Sequence, residues 1–104
     1  MILELLTNLE YAAKAGRYQS CIQKDNSISI LYNDEWIKWD PVNDDGDSIR
    51  LANKCNLSIS RRNGAVFVVG DDYFCCQEKY YDDPNAALRT AIFRVAVDIG
   101  KNLK

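Results

Sequence analysis

The stretch WIKWDPVNDDGDSIRL, residues 36–51, gathers two tryptophans, a proline, four aspartates and a glycine. Carboxylates at such spacing can hold a cation, and the nearest pattern is the calcium loop D-x-[DN]-x-[DN]-G-x5-E. Aligning Gly46 with the motif glycine puts Pro41 where the first aspartate belongs and Ala52 where the bidentate glutamate belongs. Both anchoring ligands are missing, so the calcium reading fails. The same residues suffice as the joint between a strand and a helix. Pro41 cannot donate to a strand ladder, Asp44 or Asp45 can cap a helix, and Asp47 sets negative charge in its first turn.

The remaining reactive groups are sparse. Histidine is absent from the 104 residues, which removes the commonest general base and the usual zinc ligand. The four cysteines, Cys21, Cys55, Cys75 and Cys76, contain no C-x-x-C pair. Cys75 and Cys76 are neighbours on a strand and must point to opposite faces, so they cannot share a metal. Reduced thiols, mostly buried as small apolar groups, are expected. No phosphate-binding glycine loop is present and no nucleophile has a base beside it. No catalytic residue, cofactor or metal site is therefore expected, and the chain reads as a non-enzyme.

Side chains suited to recognition are easier to find. Arg61 and Arg62 flank the Asn63-Gly64 turn with Lys79 near them, a set that could meet a phosphate or an acidic partner. Tyr73, Tyr80 and Tyr81, with Trp36, could form an aromatic interface patch. Solvated edge charges and ordinary strand aromatics are the plain alternatives. A protein partner is the expected one. Nucleic acid, with the arginines on phosphates and tyrosines stacked on bases, is the alternative, made weaker by a net charge of −2.

The elements that must position these groups follow from periodicity. Residues 2–15 place Ile2, Leu5, Leu6, Leu9 and Ala13 on one helical face, and Gly16 is expected to supply a left-handed stop. Residues 18–23 could add a short strand. Residues 27–32 and 35–39 alternate about Asn33-Asp34. That register sets Tyr32 opposite Glu35, Ile30 opposite Ile37 and Ile28 opposite Trp39, with Trp36 on the other face. A second helix buries Ile49, Ala52 and Cys55, with Leu51 as an optional member of the stripe, and stops at Asn56.

Residues 57–62 and 65–69 flank Asn63-Gly64, the strongest hairpin signal in the chain. Gly70-Asp71-Asp72 then turns into a strand from Tyr73 to about Tyr80. Asp83-Pro84 opens the last helix, with Leu88, Ala91, Ile92, Val95 and Ile99 as its core stripe and Gly100 as its end. Phe93 and Val97 widen that stripe, which implies burial between layers or self-association as a homodimer. The expected fold is a single α+β domain over residues 1–104. Its order is α-β-β-α-β-β-β-α, a layered sandwich with a mostly antiparallel sheet of about five strands and three helices.

Two segments resemble a known family. WDPVNDDGDSIRLA and DDPNAALRTAIFRVAVDIG are similar to the corresponding parts of the phage α-β-α sandwich domain, related to the NinX-like accessory proteins of lambdoid phages. Trp39, Pro41, Asp47, Asp83, Pro84, Leu88, Arg89 and Ala91 carry the likeness, which spans roughly residues 36–100. It implies a phage or prophage accessory role in a bacterial host cytoplasm and carries over no catalytic residue. No apolar run approaches the roughly 20 residues of a membrane span, and the first residues lack the basic start of a signal peptide. A cytoplasmic protein is expected.

Overall fold

Two left-handed pairs set the hairpins. Asn33 and Asp34 have φ of 51° and 67°, and Asn63 and Gly64 have 52° and 72°. Two consecutive positive φ values make the type I′ turn whose twist matches paired strands, and these residue types tolerate it best. The computed structural model describes residues 2–70 and 75–103. Its elements run α1 Ile2–Ala15, β1 Ser20–Ile22, β2 Ile28–Tyr32, β3 Glu35–Lys38, α2 Asp45–Lys54, β4 Ser58–Arg62, β5 Ala65–Val69, β6 Cys75–Lys79 and α3 Pro84–Asn102.

The strands form two antiparallel three-stranded sheets, β1-β2-β3 and β4-β5-β6, where one sheet of about five strands was expected. Alternation defines strands and hairpins but not which hairpins join, and here the helices come between the two sets. The first sheet packs on α1, the second on α3, and α1 and α3 pack on each other, with α2 against both. The anticipated register of the first hairpin holds, with Tyr32 opposite Glu35 and Ile30 opposite Ile37. Trp39 extends it by donating its backbone N–H to the Ile28 carbonyl. Residues 20–22 add the short strand, with Ser20 opposite Ile30.

The core joins Ile28, Ile30 and Trp39 of the first sheet to Leu6, Leu9, Ala12 and Ala13 of α1. Beyond them lie Ala91, Ile92, Val95 and Ala96 of α3, and then Val66 and Val68 of the second sheet. Helix α3 is thus enclosed on several sides, which accounts for its wide apolar face. Val97 is buried and Phe93 half-buried inside this layer.

Several local expectations change. Leu5 is 45% exposed, because the buried face of α1 rotates toward Leu6, Leu9, Ala12 and Ala13. Ile49 is 40% exposed, and Ser48, Leu51 and Ala52 form the buried side of α2 in its place. Arg17, not Gly16, takes the left-handed position after α1, at φ 61°. Tyr18 N–H reaches the Ala13 carbonyl and Arg17 N–H the Lys14 carbonyl, the paired bonds of a Schellman end. Asn56, at φ 56°, ends α2 in the same way.

Gly100 does not end α3, which runs on to Asn102. It marks the crossing with α1, where a Cβ would overlap the Tyr11 carbonyl. The expected turn at Asp71–Asp72 and the residue Tyr73 lie outside the described residues. Among the described residues no helix is long and apolar enough to cross a membrane.

Candidate functional site

The second sheet turns one face to α3 and the other to solvent. Arg62, Ala65 and Lys79 are cross-strand partners in one row, and Ser60, Phe67 and Gln77 in the next row on the same face. Side chains of one row share a face. Arg62 and Lys79 therefore flank the small Ala65 on the outer face, roughly 10 Å apart across two strand spacings. The Arg62 guanidinium lies 5.3 Å from the centre of the Phe67 ring, a cation–π contact that places the charge over an apolar platform. Arg61 pairs with Val66 and Glu78 and belongs to the opposite, helix-facing side. The two arginines do not act as a pair.

Beyond β6 the chain turns tightly. Tyr80 N–H reaches back to the Gly64 carbonyl, and Asp83 N–H donates to the Tyr80 carbonyl. Tyr80 packs half-buried against the core. Tyr81 occupies the second position of this turn at φ 51° and is 87% exposed. Gly or Asn is usual there, since a Cβ crowds the backbone at positive φ. Lys79, Tyr80, Tyr81 and Asp83 border a shallow hollow of about 320 Å³ beside the start of α3.

Trp36 stands apart from this cluster. It is 53% exposed on the outer face of the first sheet, opposite Leu31, and the helix layer separates the two sheets. Of the expected recognition residues, Arg62 and Lys79 share the outer face of the second sheet, Tyr81 follows Lys79 in the adjoining turn beside the start of α3, Tyr80 packs against the core, Arg61 faces the other way, Trp36 lies on the other sheet, and Tyr73 is outside the described residues.

The aspartates of the opening stretch are local ties. Asp44 caps α2 by accepting from Gly46 N–H at 3.0 Å. Asp47, only 6% exposed, accepts the Asp40 N–H at 2.9 Å and the Arg50 guanidinium at 2.8 Å. Asp40 binds Asn43 through both its backbone and its side-chain amide. Arg89 joins α3 to this joint, donating to the Val42 carbonyl at 2.9 Å and pairing with Asp45. Asp83 caps α3 through Asn85 and Ala86 N–H, with Pro84 in the first turn. Among the described residues no three His, Cys, Asp or Glu are grouped to hold a metal.

The cysteines are less buried than expected. Cys21 and Cys75 are exposed, while Cys55 and Cys76 are half-buried. Edge strands have one open side, which leaves these thiols on the surface. Burial pushes the Cys55 thiol up to about 11. Burial, reinforced by the Glu78 carboxylate, also raises Cys76. Both half-buried thiols are therefore poor nucleophiles near neutral pH.

A further concavity was not legible in the sequence. A groove of about 690 Å³ opens between α1, the Asp25–Ser27 turn and the 38–47 segment. Leu5, Leu6, Leu9, Ile28 and Trp39 give it apolar walls, and Asp40, Asn43, Asp44 and Asp47 a polar rim. Asp25 and Lys38, 3.5 Å apart, lie at its boundary with the hollow beneath Trp36. No sequence signal marks it, because Leu5 fits the apolar stripe of α1 and reads as core. Comparison with known proteins finds no family model, curated protein or solved structure that matches the chain.

Proposed function

We propose that the chain is a non-enzymatic binding protein that recognises another protein through the outer face of its second sheet, in keeping with the phage or prophage accessory role that the family resemblance implies. The observation that carries this reading is Tyr81, a bulky aromatic held in solvent in a backbone conformation costly to it. Lys79, two residues before it, shares the outer face of the sheet with Arg62, which is stacked on Phe67. Tyrosine and arginine are the residues most often found as interface anchors. Two cations on one face favour an acidic partner surface.

The half-buried thiols and the self-satisfied carboxylates support binding over chemistry. A nucleic-acid partner draws support from the same cations, but Asp82 and Asp83 follow Tyr81 directly and oppose a phosphate backbone.

Affinity capture from host lysate with wild-type bait, a Trp36→Ala bait and an Arg62→Ala/Lys79→Ala bait tests the proposal. A specific protein retained by the first two and lost from the third is expected. Equal retention by all three refutes this face as the site. Retention that disappears on nuclease treatment refutes the protein partner.

A further inference from the structure

We propose that the groove between α1 and the 38–47 segment is a second binding site, one that takes a short basic segment of another protein with apolar side chains between its lysines or arginines. Its walls and rim are chemically opposed. Leu5 and Leu9, one helical turn apart on α1, continue the apolar surface of Trp39 to the protein exterior, and Leu5 is exposed although it belongs to a leucine-rich helix. A volume of about 690 Å³ falls in the range of pockets that enclose their ligands, roughly 300–1,000 Å³, rather than of flat contacts.

Four carboxylates and one lysine line the opening. Asp25 is paired with Lys38, and Asp47 with Arg50. Asp40 and Asp44 have no cation at ion-pair distance among the described residues, and their local hydrogen bonds hold them in place. Negative charge is thereby fixed beside an apolar wall before any ligand arrives, which lowers the ordering cost of binding. A basic partner meets this charge, while its apolar side chains cover Leu5 and Leu9. An acidic segment is repelled by the same rim.

Trp39 lies in the groove wall, and Trp36→Phe leaves it as the sole tryptophan, a reporter of occupancy. The probes are two synthetic twelve-residue peptides of helical repeat, one of Lys and Leu and one of Glu and Leu. The basic peptide is expected to give a saturable change in Trp39 emission, weakened by salt, and the acidic peptide none. Leu5→Ala, or Asp40→Asn with Asp44→Asn, is expected to weaken binding about fivefold or more. Asparagine keeps the α2 cap, so the double variant remains folded.

Equal binding of both peptides overturns the proposal, as does unchanged affinity in both variants or no saturable change. Saturation by tetraethylammonium at the same concentration as the peptide would assign the groove to a small organic cation and overturn the peptide assignment. The Arg62→Ala/Lys79→Ala protein should titrate like wild type, so this site and the sheet face succeed or fail separately.

Discussion

Tyr81 offers the sharpest test at the scale of one residue. Its φ of 51° costs about 1–2 kcal/mol for an L side chain, and glycine removes that cost while adding roughly 0.5–1 kcal/mol of unfolded-chain entropy. Tyr81→Gly is therefore expected to stabilise the protein by about 0.5–1 kcal/mol in urea denaturation while losing the partner. A loss of stability would mean that the ring packs more than its 87% exposure implies. The sequence marks this tyrosine only as an aromatic next to a helix cap. Its left-handed backbone follows from the Tyr80–Asp83 turn, which depends on Tyr80 N–H reaching Gly64 in the neighbouring hairpin. No local pattern encodes that contact.

Among the elements, the α1–α3 crossing sets the most stringent packing condition. At Gly100 the two helices approach so closely that a Cβ would overlap the Tyr11 carbonyl, and backbone cannot yield as a side-chain tip can. Alanine improves helix propensity by about 1 kcal/mol, but overpacking at such a contact costs at least the upper part of about 1–3 kcal/mol. Gly100→Ala should lower the urea midpoint through a net loss on the order of 1–2 kcal/mol; a rise would place the helices farther apart than described. Sequence reading takes Gly100 as a helix stop because glycine after an apolar stripe usually is one. The hairpins differ: their turns lie between their own strands, and the paired register follows from adjacent residues.

For the whole molecule, the interior is apolar enough to hold two weakly acidic groups neutral. Burial raises Cys55 to about 11 and raises Tyr18, whose hydroxyl also feels Tyr32. A pKa raised by folding gives stability that is full below the unfolded value and declines as pH rises through the folded value. With an unfolded thiol near 8.5, stability should fall between about pH 9 and 11, and Cys55→Ala should flatten the decline. Urea midpoints measured from pH 7 to 11 check this; an unchanged midpoint would show that neither group is held protonated by the fold.

The amino-acid order alone determined where the helices and both hairpins lie, the register of the first hairpin, a cap for α2 at Asp44 or Asp45, and the terminal roles of Asn56, Asp83 and Pro84, because each depends on groups within a few residues. Tertiary structure alone decided that the strands divide into two sheets around the helices and that Leu5 opens onto a groove. It also separated Trp36 from Tyr80 and Tyr81, whereas alternation along β4 by itself sets Arg61 and Arg62 on opposite faces. The tertiary outcomes rest on which apolar faces find each other across long separations, and many partners satisfy one stripe equally well. Burial is collective and only the closed core selects among them.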